Sequence, residues 1–145
     1  CRSVRVEVLI RDGVPDKTDQ GCRVWAGEWN DPYSGETLSL PSEIDIDHVV
    51  PLEWAARHGG EAWEPERKRA YANDLAFIGH LAAVSAHLNR QKGSKGPADW
   101  RPPIQARWCG YALRWAAILV TWDLRPNERD RQAIREMVTT CRSLP

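Results

Sequence analysis

The four cysteines at positions 1, 22, 109 and 141 constrain the fold of this chain most, because each half of the set straddles a predicted reversal of the backbone. The stretch "SVRVEVLIRD" alternates apolar and polar residues, "DGVPDKTDQG" is rich in turn formers, and "CRVWAGEW" resumes a strand-like pattern. Cys1 and Cys22 therefore flank a predicted hairpin at about equal distances from its turn. At the other end, Ile104, Trp108, Tyr111, Ala112, Trp115, Leu119 and Trp122 recur at helical spacing, and so do Ile134, Met137, Val138 and Cys141. Pro126 and an Asn127 N-cap open the second helix, so the two fold back on each other around Asp123 to Pro126. A rise of about 1.5 Å per residue then brings Cys109 and Cys141 level. These spacings predict Cys1–Cys22 and Cys109–Cys141 disulfides, hence an oxidising, extracellular setting and a secreted protein. Four buried thiols or a zinc site are the competing readings, but the wide, irregular spacing contains no CxxC.

A length of 145 residues suits one domain, 1–145, with a sizeable core. Twenty Lys and Arg balance twenty Asp and Glu, so no global basic field marks a nucleic-acid partner, and any such partner must be held by a local patch. No apolar run approaches the roughly 20 residues of a membrane span, and no basic start followed by an apolar core marks a leader, so no membrane association is expected. Eight Trp against one Phe and one Met, many beside Gly, Pro or charged residues, suit a rigid, loop-rich domain.

After the first hairpin, "GEWNDPYSGETLS" carries the turn signals of a second hairpin or long β-loop. The strand "EIDIDHVV" is stopped by Pro51, "PLEWAARHGG" and "EPERKRAYAND" read as helices, and "HLAAVSA" reads as a strand despite its alanines. A helical turn from Ser85 through Lys92 follows, closed by Gly93. The expected class is α+β: N-terminal β-hairpins, a strand–strand–helix centre and a C-terminal antiparallel helix pair.

Within that centre, a carboxylate and an imidazole, Asp47 and His48, stand side by side at the end of a strand, and the short helix carries Asn89 and Lys92 three apart. "DIDHVVPL" followed by "NRQKGSKGP" resembles the HNH, or His-Me finger, nucleases. The wider pattern "DPYSGE…DIDHVVPL…YANDL…AVSAHLNRQKGSKGPADWRPP…WCGYALRW" is similar to a secreted bacterial branch related to the C-terminal HNH domain of GmrSD-type restriction enzymes. The likeness runs from about Cys22 onward and implies a ββα-metal core and a metal-dependent endonuclease.

Phosphodiester hydrolysis requires this chemistry. Charge builds on a non-bridging oxygen and on the leaving oxygen, and a hard cation that stabilises it takes oxygen ligands. Asp47 and the Asn89 amide oxygen are the candidate ligands of one Mg²⁺ or Mn²⁺ per site. His48, with an ordinary pKa near 6.5, is the candidate general base. Strict alternation puts Asp47 and His48 on opposite strand faces, so they serve one phosphate only if the strand bends or ends there, as Pro51 allows.

Arg90, Lys92, Ser94 and Lys95 are the candidate substrate-binding residues. Between Arg90 and Arg107 lie Arg90, Lys92, Lys95, Arg101 and Arg107 against Asp99 alone, a patch suited to DNA, or alternatively RNA. Trp100 and Trp108 offer stacking surface, although buried Trp is the commoner fate. Asp45 either orients His48, backs the metal ligands or is simply solvated. Asn73, with Asp74, either serves the site between the two strands or caps a helix. His87 is a weaker ligand candidate, and His58 and His80 are expected to be exposed or structural. Two other functions share these residues: a toxin or restriction effector with a dedicated partner, and a nucleic-acid-binding module without turnover. No obligate protein partner is evident in the sequence.

Overall fold

A computed structural model describes residues 1–143. Its centre is the strand–strand–helix unit. Strand β4 (Ile44–His48) pairs antiparallel with β5 (Leu81–Ser85), matching Asp45 to Val84, Asp47 to Ala82 and His48 to Leu81. The helix α4 (Ala86–Lys92) follows at once, its first turn capped by the Ser85 hydroxyl, which accepts from Leu88 N, and its end marked by Gly93 at φ 54°.

Alternation along the strand pair divides the interior in two. On one side Ala82 and Val84 join Val49, Val50, Trp54, Tyr71, Tyr111, Ala112, Trp115, Ile118 and Met137; on the other, Ile44, Leu81 and Ala83 join Val8, Leu9, Val24, Trp29 and Leu38. Asp45 and Asp47 share the strand face of the first cluster, the one α4 packs over.

Three further strands, β1 (Gly13–Thr18), β2 (Val24–Asn30) and β3 (Thr37–Leu38), form an antiparallel meander in that order, so there are N-terminal hairpins, the first of them built from other strands than expected. Their boundaries correct the sequence reading. The alternating "SVRVEVLIRD" is not a strand but the helix α1 (Val4–Asp12), and the stretch read as a turn supplies β1. Local capping and tertiary contacts override β-propensity here. The Ser3 hydroxyl caps Val6 N, Val8 and Leu9 are buried, Arg5 donates to Ile44 O and Pro41 O, and Arg11 donates to Leu81 O and Ile78 O. Pro15 is tolerated because β1 is an edge strand with an irregular register beside it.

Two short helices, α2 (Leu52–Arg57) and α3 (Pro65–Ala72), lie between β4 and β5, and the long pair α5 (Trp108–Trp122) and α6 (Glu128–Thr139) closes the chain. Asp123, in the left-handed region at φ 52°, ends α5, and the Asn127 side chain accepts from Asp130 N at the start of α6. The loop after α4 is pinned to this pair by Asp130, which is buried and accepts from Trp54 Nε1 at 3.0 Å and Ala98 N at 2.9 Å. Gly96 is required there, since a Cβ would lie 2.6 Å from both the Asp130 carboxylate and Trp54 Nε1.

Both predicted disulfides are present: Cys1–Cys22 with Cα atoms 5.4 Å apart and Cys109–Cys141 at 5.0 Å. Among the described residues no helix is long and apolar enough to cross a membrane.

Candidate active site

The loop between β2 and β3 builds the first wall. Asp31, fully buried, accepts from the backbone N–H groups of Tyr33, Ser34 and Ser85 and from the Ser34 hydroxyl, which ties the loop to the junction of β5 and α4. Gly35, at φ 78°, lets the chain turn back, its N–H donating to Asp31 O. Tyr33 is thereby aimed into the site, its ring edge-on to Trp100 and Tyr111 at 5.2 and 5.6 Å. Its hydroxyl donates to Asp47 Oδ2 at 2.6 Å.

Asp47 is 7 % exposed, and its second partner is Lys92, fully buried, whose ammonium lies 3.0 Å from Oδ2 and 3.3 Å from Oδ1 and also donates to His48 O at 3.1 Å. Burial pushes the Asp47 carboxyl up despite Lys92 and Tyr33, and pushes the Lys92 ammonium down despite Asp47. The same burial, with the nearby Asp47 charge, holds the Tyr33 phenol far above its usual range and therefore protonated, as a donor must be.

His48 has a separate anchorage. It is the last residue of β4, and its Nε2 lies 2.8 Å from the carbonyl oxygen of Ala72, the last residue of α3. A carbonyl can only accept, so Nε2 carries the proton and Nδ1 of the neutral ring holds the lone pair. The last carbonyls of a helix have no partner within it, which makes the end of α3 a natural socket for imidazoles. His80 Nε2 uses Tyr71 O in the same way at 2.6 Å. The His48 ring stacks at 6.3 Å on Tyr71 and stands edge-on to His80 at 6.0 Å. Burial lowers its pKa more than the Ala72 carbonyl and the Asp47 charge raise it, favouring the neutral ring.

The other candidates divide. Asn89 donates from Nδ2 to Asp45 Oδ2 at 3.0 Å, and Arg90 Nε lies 3.7 Å from the same oxygen, so Asp45 is engaged with α4. Asn73 caps α3, its side chain and backbone N–H both donating to Arg69 O, and thereby ends the helix where Ala72 O is needed. Arg90 and Lys95 are exposed, Ser94 is half-buried, and Lys92, expected to hold substrate phosphate, is buried against Asp47. Trp100 packs on Tyr33 and Tyr111, and the Arg101 guanidinium lies over Trp108, so neither ring is a free stacking platform. His87 pairs with Gln91 on the exposed side of α4. His58, stacked on Trp54, and His80, buried, are structural. Tyr33 and Asp31 were not among the residues the sequence singled out. The Asp-Pro-Tyr-Ser-Gly order marks a turn, and nothing local reveals that its tyrosine meets a carboxylate.

Asp47, Asn89 and Asp45 offer oxygen donors alone, which suits a hard divalent cation, and the buried Lys92 ammonium shows that Asp47 is built to meet a positive charge. Among the described residues no three His, Cys, Asp or Glu side chains are grouped to hold a metal unaided. A cation here would complete its shell with the Asn89 amide, water and substrate oxygens.

An antiparallel strand pair that ends in Asp-His, followed directly by a helix carrying Asn and Lys toward that end, defines the ββα class of nuclease domain. Within it, this chain belongs to the family of GmrSD restriction endonuclease C-terminal domains, which matches residues 9–137, an HNH-type nuclease family. It is also similar to an "Uncharacterized secreted protein" of Arthroderma benhamiae, with 37% identity over 139 residues, covering 96% of this chain and 68% of the relative. No solved structure matches. The two disulfides and this likeness agree on a secreted protein.

Proposed function

We propose that residues 1–145 form one metal-dependent endonuclease domain that hydrolyses phosphodiester bonds of DNA without sequence preference, with His48 as general base. The observation that carries this reading is the bond from His48 Nε2 to Ala72 O, which fixes the tautomer and leaves Nδ1 as the basic atom. Water attacks phosphorus and gives its proton to Nδ1 of His48, and the bond to the 3′-oxygen breaks; that oxygen takes a proton from solvent, so the products carry a 5′-phosphate and a 3′-hydroxyl. Burial of the imidazole favours the neutral form required at the start. Mg²⁺ held by Asp47 and Asn89 would neutralise charge on the phosphate as it develops. Arg90 and Lys95, exposed beside the helix, hold the strand's phosphates.

The test is nicking of supercoiled plasmid with Mg²⁺ and with EDTA. Cleavage is expected with Mg²⁺ alone. His48→Ala should cut the rate by about 10²- to 10⁴-fold, the usual worth of a general base, with Mg²⁺ affinity by calorimetry nearly intact. Asp47→Ala and Asn89→Ala should weaken Mg²⁺ binding. DNA binding without nicking under any metal would turn the reading to a binding module, and loss of Mg²⁺ by His48→Ala would make His48 a ligand.

A further inference from the structure

Two cationic side chains on the last turn of α4 have opposite fates. Arg90 is exposed, whereas Lys92 is fully buried with its ammonium against both oxygens of Asp47 and the carbonyl of His48. Burying an ammonium is costly unless it meets an opposite charge and its hydrogen bonds are satisfied, and Asp47 is the carboxylate it meets. Asp47 needs a cation equally, because its other partner, the Tyr33 hydroxyl, is neutral. The pair balances the charge at Asp47, and a divalent ion approaching the same two oxygens would meet the repulsion of the ammonium seated on them.

We propose that Lys92 is an internal counter-ion occupying the cation position at Asp47, and that a divalent metal takes this position by displacing the ammonium, so that Lys92 sets how tightly the site binds metal. The inference rests on the metal-dependent reading above and concerns a residue that reading does not use. Competition follows from linkage: whatever occupies Asp47 in the free protein must be displaced, and the displacement lowers apparent metal affinity. The exit is short. Lys92 is the last residue of α4, and a Cβ built on the following Gly93 would meet nothing within 4 Å, so open space lies beside the helix end. A released ammonium on its flexible stem would enter the side where Arg90 and Lys95 are exposed, adding a third cation to that patch.

Lys92→Met removes the charge and keeps most of the length. The variant should lose stability without metal, because Asp47 is left buried and unpaired, and Mg²⁺ should raise its Tm more than that of the wild type. Calorimetry should show Mg²⁺ bound about tenfold more tightly, or better, once the competitor is gone. An equal or smaller Mg²⁺ effect on Tm and affinity would overturn the proposal, since a merely structural lysine would leave the metal response unchanged. Should the variant fail to fold, the wild type gives the answer through amine-reactive labelling read by mass spectrometry. Lys92 is expected to be protected without metal and labelled at saturating Mg²⁺; protection that persists at saturation overturns the proposal. Plasmid nicking separates the two readings. EDTA-sensitive nicking with no change at Lys92 leaves the nuclease reading standing and removes this one, whereas a wild type that binds no Mg²⁺ removes both.

Discussion

The Tyr33 hydroxyl donates to Asp47 Oδ2 at 2.6 Å, joining the loop between β2 and β3 to the central strand pair. Asp31 fixes that loop by accepting from Tyr33 N and Ser85 N, so the position of one carboxylate is transmitted through a tyrosine to another. Tyr33→Phe would keep the edge-on contacts with Trp100 and Tyr111 and remove only the donor. Urea unfolding should show a loss of about 1–3 kcal/mol, the usual cost of leaving a buried acceptor without its partner. A double-mutant cycle with Asp47→Asn should show the two substitutions strongly coupled. Additive effects would mean that the hydroxyl contributes nothing through Asp47.

With Lys92 turned inward in the metal-free protein, the proposed phosphate contacts left at the surface are Arg90 and Lys95. Arg90 lies 3.7 Å from Asp45, and Lys95 donates to the backbone oxygen of Gln91, so both exposed cations are available to a polyanion. Replacing both with Ala should weaken DNA binding equally across sequences. It should also lower the slope of log K against log salt by about two phosphate contacts' worth, near 1.8 for a duplex. An unchanged slope would place the nucleic-acid groove on another face.

Much of this arrangement is legible in the sequence, for identifiable reasons. Pro51, the Ser85 cap, Gly93 and Asn127 act within a turn of their own positions, and the elements they bound are where a local reading places them. The strand end that alternation required at Asp47 and His48 is present, because β4 ends at His48 and the imidazole is taken up by the end of α3. The failures depend on distant partners. "SVRVEVLIRD" is helical because residues some 30 to 70 positions away receive Arg5 and Arg11. Lys92 is buried because of a carboxylate 45 residues earlier, while its neighbours, with the same charge, stay in water. The hairpin symmetry that predicts the Cys1–Cys22 pairing is absent from the fold. Cys1 precedes α1 and Cys22 sits in the turn between β1 and β2, so the pair is right and its geometric argument is not.

The two disulfides should contribute in separate places. Cys109–Cys141 joins the start of α5 to the turn after α6 and closes a separation of 32 residues, whereas Cys1–Cys22 joins the residues before α1 to the turn between β1 and β2 and closes 21. Chain entropy gives each about 3–4 kcal/mol. The Cys109→Ser, Cys141→Ser double variant should lose about that much in urea unfolding and melt at a lower temperature. A loss below about 1 kcal/mol would show that the packing of α5 on α6 suffices alone.

His80 supplies a stability test away from the metal-ligating candidates. It is buried, with Nε2 donating to Tyr71 O, while Nδ1 has no hydrogen-bond partner among the described residues and lies 4.0 Å from Asp74 Oδ2. Burial lowers its pKa from the ordinary value of 6.5, outweighing the Tyr71 carbonyl and the Asp74 charge, which raise it. The unfolded chain therefore takes up the proton first as pH falls. The neutral ring's contribution to stability is fully present above about pH 6.5 and is lost progressively below it, toward the lower folded-state value. His48, shifted in the same direction, adds to the acid sensitivity, so the two must be separated. His80→Gln keeps a donor for Tyr71 O and cannot titrate. Wild-type Tm should fall between about pH 7.5 and about pH 5.5, and the fall should be smaller in His80→Gln, which lacks the His80 share. Equal falls in the two proteins would show that His80 is free to protonate in the folded state, with Asp74 closing on Nδ1 to pair with it.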